Sequence, residues 1–387
     1  VKILIILTYY RPHVSGLTIY VERLAKALAE RNHQVTVLTS HYARNLPYEE
    51  RFDGVRVVRV PVAFRFNKGA FMPTFPLAAW REIKAHDVVN IHLPQVEAAL
   101  GTWLARLAGH KPILTYHCDL HMPPVWYGRL VDRLTSWDNL VAGRLADVIV
   151  TNTEDFARHS PVLAQFGLAS TGAGKVRAVI PPILIGAPSP NGRRIFRAQL
   201  GLADDQPVVG FVGRFAHEKG VDYLINAIPQ VLAQVPDVRF VFAGPQDAVG
   251  ETTWLDLQPL IERYREHLTF LGTLPTPSMP DFFAACDVVT VPSINNTESF
   301  GMVQAEAFMC GTPAVATDLP GVRQPIAMSG MGEVVPVRDV DALAAGIVKV
   351  LKHRPQYIRP HDEIMRTFGM AHTVDAYEQL FTEKRRH

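Results

Sequence analysis

Two cations, two carboxylates and a histidine stand in this chain where strands should give way to turns. The strand-like run Val209-Gly210-Phe211-Val212 passes through Gly213 into Arg214, and Lys219-Gly220 precedes a helical stretch from about Val221. Two cations beside a helix N-terminus suit a diphosphate, because backbone N–H groups and positive side chains converge there on negative oxygens. The plainer reading pairs Arg214 with Glu218 and leaves Lys219 solvated.

A second constellation sits in the run from Asn295 to Pro313, after the strand that ends at Val291-Pro292-Ser293. Val303 to Met309 are good helix formers and Gly311 is a natural terminator. Glu298 and Glu306 are eight residues apart, so on one continuous helix they would diverge by about 80°. The better placement puts Glu298 in the loop before the helix and Glu306 in its second turn. Backbone N–H groups from Phe300 through Gly301 and Met302 to Val303 then face an anion. A loop carboxylate, a helix start and an inner carboxylate match a sugar, a diphosphate and a ribose in order, since carboxylates accept paired hydrogen bonds from hydroxyls. Singly, Glu298 reads as a helix cap and Glu306 as a solvated face; with Arg214 and Lys219 the binding reading is stronger.

His117 ends the strand Leu114 to Tyr116, inside Tyr116-His117-Cys118-Asp119-Leu120-His121. Taken alone it reads as a structural histidine bonded to backbone. Asp119 is placed to orient His117 or to meet an acceptor, and His92, after another strand, reads as a lining or packing residue. Gly16 lies in the first strand-to-helix loop, where a missing side chain admits a phosphate.

These residues need rigid strand ends to hold them. Lys2 to Leu7 reads as a strand buried on both faces. Leu17, Tyr20, Val21, Leu24, Ala25 and Leu28 follow helical spacing, and Asn32-His33 supplies a left-handed stop. Val35 to Thr39, Val88 to His92, Ile113 to His117, Val148 to Thr151 and Val176 to Ile180 continue the alternation. After a Pro- and Gly-rich linker a second series begins: Val208 to Val212, Arg239 to Ala243, Leu268 to Leu271, Val288 to Val291 and Ala314 to Thr317. The fold class expected is therefore α/β, two Rossmann-like doubly wound domains at 1–182 and 183–365, facing across a cleft. A last helix within 366–387 is expected to pack back on the first domain. Open sheets of this kind bind ligands outside the carboxyl ends of their strands.

Composition sets the outer limits. With 387 residues, 48% hydrophobic and 20% charged, the chain is ordinary globular protein, and a net charge of +2 gives no case for nucleic acid. Cys118, Cys286 and Cys310 read as reduced thiols without zinc spacing. The opening apolar run is too short for a bilayer span, so a cytoplasmic location is expected.

The run Gly213-Arg214-Phe215-x-x-Glu218-Lys219-Gly220, then Phe242-Ala243-Gly244, then Glu298-x7-Glu306 with Ser299-Phe300-Gly301, resembles the retaining glycosyltransferases of family four, which have the GT-B fold. Tyr10-Arg11-Pro12-x-x-Ser15-Gly16 is similar to that family too, although Ser15 and Asn32 stand where members often carry glycine. The likeness is to bacterial cell-envelope glycosyl- and mannosyltransferases. It implies that Arg214 and Lys219 hold the diphosphate of a UDP- or GDP-sugar, that Glu298 meets the transferred hexose, and that Glu306 meets the ribose. Gly16, Leu274, Ser299, Phe300, Gly301, Met302 and Val303 would complete the donor site, with Leu274 near the base. His117 would stand beside the reacting sugar and Asp119 on the acceptor side.

As the sugar–phosphate bond breaks, charge grows on the departing diphosphate, where Arg214, Lys219 and helix N-termini can meet it. No cofactor and no essential metal is expected, and the acceptor proton is expected to pass to the donor phosphate in a front-face attack. The acceptor is expected to be a glycan, a lipid-linked sugar or a small molecule. Phe64 to Met72 and Met122 to Leu130 interleave aromatics and cations, as peripheral contact with the inner face of a membrane would require. A nucleotide-sugar epimerase or hydrolase shares this pattern and would use no acceptor. A dinucleotide oxidoreductase would need more glycine than Tyr9 to Gly16 offers.

Overall fold

The computed structural model describes residues 1–66, 69–120, 128–246 and 253–384. The chain divides into two units, Val1–Pro182 with Met370–His387, and Ile183–Gly369. The strands of the first are β1 (Lys2–Ile6), β2 (Gln34–His41), β3 (Glu49–Phe52), β4 (Val55–Pro61), β5 (Phe64–Phe66), β6 (Gly69–Phe71), β7 (Val88–Leu93), β8 (Ile113–Tyr116), β9 (Val148–Thr151) and β10 (Val176–Ala178).

Eight of them form one sheet in the order β10-β9-β8-β7-β1-β2-β4-β3. Every pairing in it is parallel except that of β3 with β4. The alternation of side chains sends Leu4, Ile6, Val89, Ile91, Leu93 and Leu114 to one face, under the helices Phe75–Ala85 and Ala98–Leu107. Ile3, Ile5, Val88 and Ile113 go to the other, under the helix Gly16–Glu30. Ser15 caps that helix, its hydroxyl accepting the Thr18 N–H at 3.2 Å, and Asn32 leaves it with φ 65°.

The helix Met370–Glu383 also lies on this second face, where it buries Val374, Tyr377, Leu380 and Phe381. Each such side chain contributes roughly 1.5–3 kcal/mol. Arg31 pairs with Asp375 and Glu378, and His33 Nε2 lies 2.8 Å from the same Glu378.

Strands β3 and β4 extend the sheet beyond what the strand-helix-strand pattern alone indicates. The signal for them is Asp53-Gly54, both left-handed (φ 49° and 78°), the two-residue turn that suits the twist of a hairpin. The alternating Val55, Val57 and Val58-x-Val60 that follow are buried.

The second unit carries β11 (Val208–Val212), β12 (Arg239–Ala243), β13 (Leu268–Phe270), β14 (Val288–Val291), β15 (Ala314–Thr317) and β16 (Gly332–Val335). Their order, all parallel, is β13-β12-β11-β14-β15-β16. The winding reverses between β11 and β14, so a crevice opens outside their carboxyl ends. At the other end of the sheet Arg197, fully buried, bonds Asp287 at 2.7 Å and the carbonyls of Ala203, Asp204, Gln206 and Ala285. A buried charge is tolerated only when satisfied in this way. That end is a structural anchor, and the β11/β14 end is left for chemistry.

Candidate active site

Both loops at the reversal point of the second unit carry the residues singled out by the sequence. The loop after β11 holds Arg214 and leads through a short 3-10 turn, His217–Lys219, into the helix Val221–Leu232. The loop after β14 holds Glu298 and leads into the helix Met302–Met309. The backbone joins them, since Ile294 N donates to the Glu218 carbonyl at 3.1 Å. The approach depends on Gly220: φ is 65°, and a Cβ there would stand 1.9 Å from the Pro292 carbonyl oxygen.

Across this junction Lys219 Nζ donates to Glu298 Oε2 at 2.6 Å. The other carboxylate oxygen, Oε1, accepts the Gly301 N–H at 2.9 Å. Burial pushes the Glu298 carboxyl upward, but Lys219 and the N–H groups of Gly301 and Phe300 outweigh it and hold the group below its ordinary value. Glu298 is therefore a carboxylate, and it does cap the backbone before the helix as the plainer reading has it. Lys219 is not merely solvated.

Arg214 Nη2 meets Glu218 Oε1 at 2.7 Å, with the arginine side chain 40% exposed. A pair this open is worth only about 0–1 kcal/mol, so the guanidinium can leave Glu218 for another anion at small cost.

Phe300 is fully buried against Phe368, which leaves its backbone, not its ring, for ligand contact. Ser299 is buried, and Gly301 stands left-handed at the helix start (φ 74°) with Met302 and Val303 next. Glu306 occupies the second turn, half-buried; burial and then its charge push the Cys310 thiol up to about 12. Leu274 and Val303 are both half-buried against the cluster of Val241, Ala243, Phe282 and Val289. The second unit thus brings Lys219, Glu298, Phe300 and Gly301 into direct contact.

The sequence contains one Asp-x-Asp triplet, Asp339-Val340-Asp341, and it serves a helix start. Asp339 caps the helix Val340–His353 through the Ala342 N–H, and Asp341 accepts from Gln230. Among the described residues no group of three or more His, Cys, Asp and Glu is placed to hold a metal ion.

In the first unit Gly16 opens the helix after β1, exposed beside Ser15. His117 is buried just past β8. Its partner is not Asp119, which receives hydrogen bonds from Tyr116 (2.8 Å) and Ser160 (2.7 Å). The ring that meets His117 Nε2 is His92, through Nδ1 at 2.8 Å. His92 is thus more than a packing residue. The signal for this was polar residues at alternate places, Asn90 and His92, Thr115 and His117, on two otherwise apolar neighbouring strands. Burial lowers His117 to about 3 and His92 well below the usual histidine range, so both rings are neutral.

Strands β5 and β6 form a hairpin whose rings Phe64 and Phe71, 5.0 Å apart, are 59% and 50% exposed beside Arg65. Asn67 and Lys68 lie outside the described residues, as do residues 121–127 of the other aromatic-basic segment. Among the described residues no helix is long and apolar enough to cross a membrane.

Residues 192–365 match the family described as Glycosyl transferases group 1, and residues 15–164 match the Glycosyl transferase 4-like domain. The chain is 32% identical to the D-inositol 3-phosphate glycosyltransferase of Mycolicibacterium smegmatis, over 93% of this chain and 84% of that protein. It is 28% identical to the GDP-mannose-dependent alpha-(1-6)-phosphatidylinositol monomannoside mannosyltransferase of the same organism, over 90% of this chain and 88% of that one. Anabaena HepE, solved in complex with UDP, superposes with a TM-score of 0.76 at 19% identity, over 99% of this chain and all (100%) of that one. The chain belongs to the family-four, group 1 glycosyltransferases, with the GT-B fold.

Proposed function

We propose that this glycosyltransferase is retaining and moves a hexose from a UDP- or GDP-sugar to a glycan or lipid-linked acceptor. The observation that carries the reading is the contact of Lys219 with Glu298 at the winding reversal of the second unit, beside the start of the helix Met302–Met309. Arg214, Lys219 and the backbone at Gly301 to Val303 take the diphosphate; Glu298 takes the sugar hydroxyls and Glu306 the ribose. Leu274 lines the base side. The GDP-mannose-dependent relative and the HepE complex with UDP support the nucleotide class.

Departure of the diphosphate leaves charge on its oxygens, which preorganised cations and N–H dipoles stabilise without reorganising. The acceptor hydroxyl attacks from the face the diphosphate leaves and passes its proton to a phosphate oxygen, so configuration is kept. His117 meets the transferred sugar, with Gly16 making room for donor oxygens and Asp119 supporting the acceptor side. No step in this scheme assigns work to a metal.

A lipid-linked acceptor, met at the inner face of a membrane, draws support from the exposed Phe64 and Phe71. Leu100, Trp103 and Leu107 of one helix, and Leu134 and Trp137 of another, add exposed apolar surface in the same unit. The test is product analysis by NMR with each nucleotide sugar and a candidate acceptor. An α-linked product from an α-linked donor supports retention. Inversion, or conversion of the donor without any acceptor, overturns the reading.

A further inference from the structure

Register fixes which side chains share a face. In the β7/β8 pair Asn90 stands opposite Ile113 and His92 opposite Thr115. Asn90, His92, Thr115 and His117 therefore line the face covered by the helices Gly16–Glu30 and Met370–Glu383.

The direction of the hydrogen bonds follows from chemistry. Asn90 Nδ2 has two acceptors, the Ile113 carbonyl at 3.2 Å and Thr115 Oγ1 at 3.0 Å. Its Oδ1 is then the atom turned to His92 Nε2, at 2.8 Å. An amide oxygen only accepts, so His92 Nε2 carries the hydrogen. Both rings are neutral, which leaves His92 Nδ1 as an acceptor. The hydrogen between the two rings, whose nitrogens are 2.8 Å apart, must therefore belong to His117 Nε2. His117 Nδ1 holds the lone pair.

The far side of the network is closed as well. Thr115 Oγ1 lies 3.0 Å from the Tyr377 hydroxyl, and that hydroxyl lies 2.9 Å from Tyr20 OH. The Tyr20 ring meets His117 edge-on at 4.6 Å. A buried network of this kind rigidifies the rings it holds.

We propose that Asn90 and His92 are positioning residues, a relay that locks His117 in the Nε2–H tautomer and leaves Nδ1 able only to accept. The proposal rests on the reading of His117 as a residue that meets the transferred sugar. A histidine-orienting partner matters because the other tautomer would present a donor at Nδ1 in place of an acceptor.

Long-range proton–nitrogen NMR on the 15N-histidine-labelled full chain tests the relay directly, since protonated and unprotonated ring nitrogens resonate apart. The expected result is a hydrogen on Nε2 of both His92 and His117. A hydrogen on Nδ1 of His117 overturns the relay, whatever the activity. With a turnover assay in hand, His92→Phe should lower kcat by about 10–100-fold, the size seen when a histidine loses its outer partner. Donor KM should stay within about twofold, because binding is not the step disturbed. An unchanged kcat in a folded His92→Phe chain overturns the positioning role. Full activity in His117→Ala, with the Nε2–H tautomer present in the wild type, would instead overturn the reading of His117 and not the tautomer assignment.

Discussion

Lys219 Nζ and Glu298 Oε2 lie 2.6 Å apart although 79 residues separate them. They come from the loops after the two strands, β11 and β14, between which the winding of the sheet reverses. A purely structural ion pair has no need of that place. The pair is half-open to solvent, with side chains 28% and 21% exposed, and the carboxylate also organises the backbone that starts the next helix. One group thus pairs with a cation while ordering the backbone at the helix start, and in the proposed donor site both would face the diphosphate.

Removing either cation should therefore cost catalysis more than stability. Lys219→Ala and Arg214→Ala are each expected to lower kcat/KM by about 10²–10³, the loss found when one preorganised donor to a developing charge is deleted. The thermal midpoint of Arg214→Ala should move little, since its pair with Glu218 is open, whereas Lys219→Ala should lower it, because Glu298 loses the cation that offsets its burial. Steady-state kinetics with the preferred donor, beside a melting curve, checks both halves.

Glu298 ties stability to acid. Burial raises its pKa, but Lys219 and two backbone N–H groups lower it further, so the folded chain holds this carboxylate below its unfolded value. The unfolded chain then binds the proton first as pH falls. The advantage of wild type over Glu298→Gln should be complete at pH 7 and fade below the ordinary carboxylate range. Paired melts from pH 7 to the acid limit of folding measure it.

His117 works in the opposite window from an ordinary partnered histidine. Burial alone lowers it to about 3, so between that value and the ordinary histidine pKa only the unfolded state takes up a proton. Stability should then rise with pH across this interval, by about 1.4 kcal/mol per pH unit for one such histidine. His117→Gln should flatten the slope by about that amount, in denaturant titrations read at pH 4.5, 5.5 and 6.5.

The hairpin of β5 and β6 should matter for an apolar acceptor or a membrane surface. Replacing Phe64 and Phe71 with Ser removes two exposed rings and should weaken sedimentation with anionic vesicles at low salt by about tenfold or more. Wild type that fails to sediment at all would remove the membrane reading and leave the donor site untouched.

Much of this was legible before any coordinates. Buried parallel strands such as Ile3-Leu4-Ile5-Ile6 and Val288-Val289-Thr290-Val291 announce themselves by composition, and Glu298 falls in a loop because eight residues do not return to one helix face. The partners of these groups were less legible. Whether Lys219 meets Glu298 or water depends on how closely two loops approach, which Gly220 decides through a carbonyl 72 residues away in the chain, that of Pro292. His92 reads as a lining or packing residue, and its bond to His117 stays hidden because it lies in register: only when β7 and β8 pair does it reach His117. The hairpin of β3 and β4 hid behind a charged edge, Glu49-Glu50-Arg51, although Asp53-Gly54 marked its turn.

The most direct test of the donor site is a thermal-shift comparison of wild type, Arg214→Ala and Lys219→Ala against UDP-, GDP- and ADP-sugars, since a ligand that binds only the folded chain raises its midpoint. The account predicts a clear rise for wild type with a UDP- or GDP-sugar and a much smaller one for both variants. No rise with any nucleotide sugar, or equal rises in all three proteins, would contradict it.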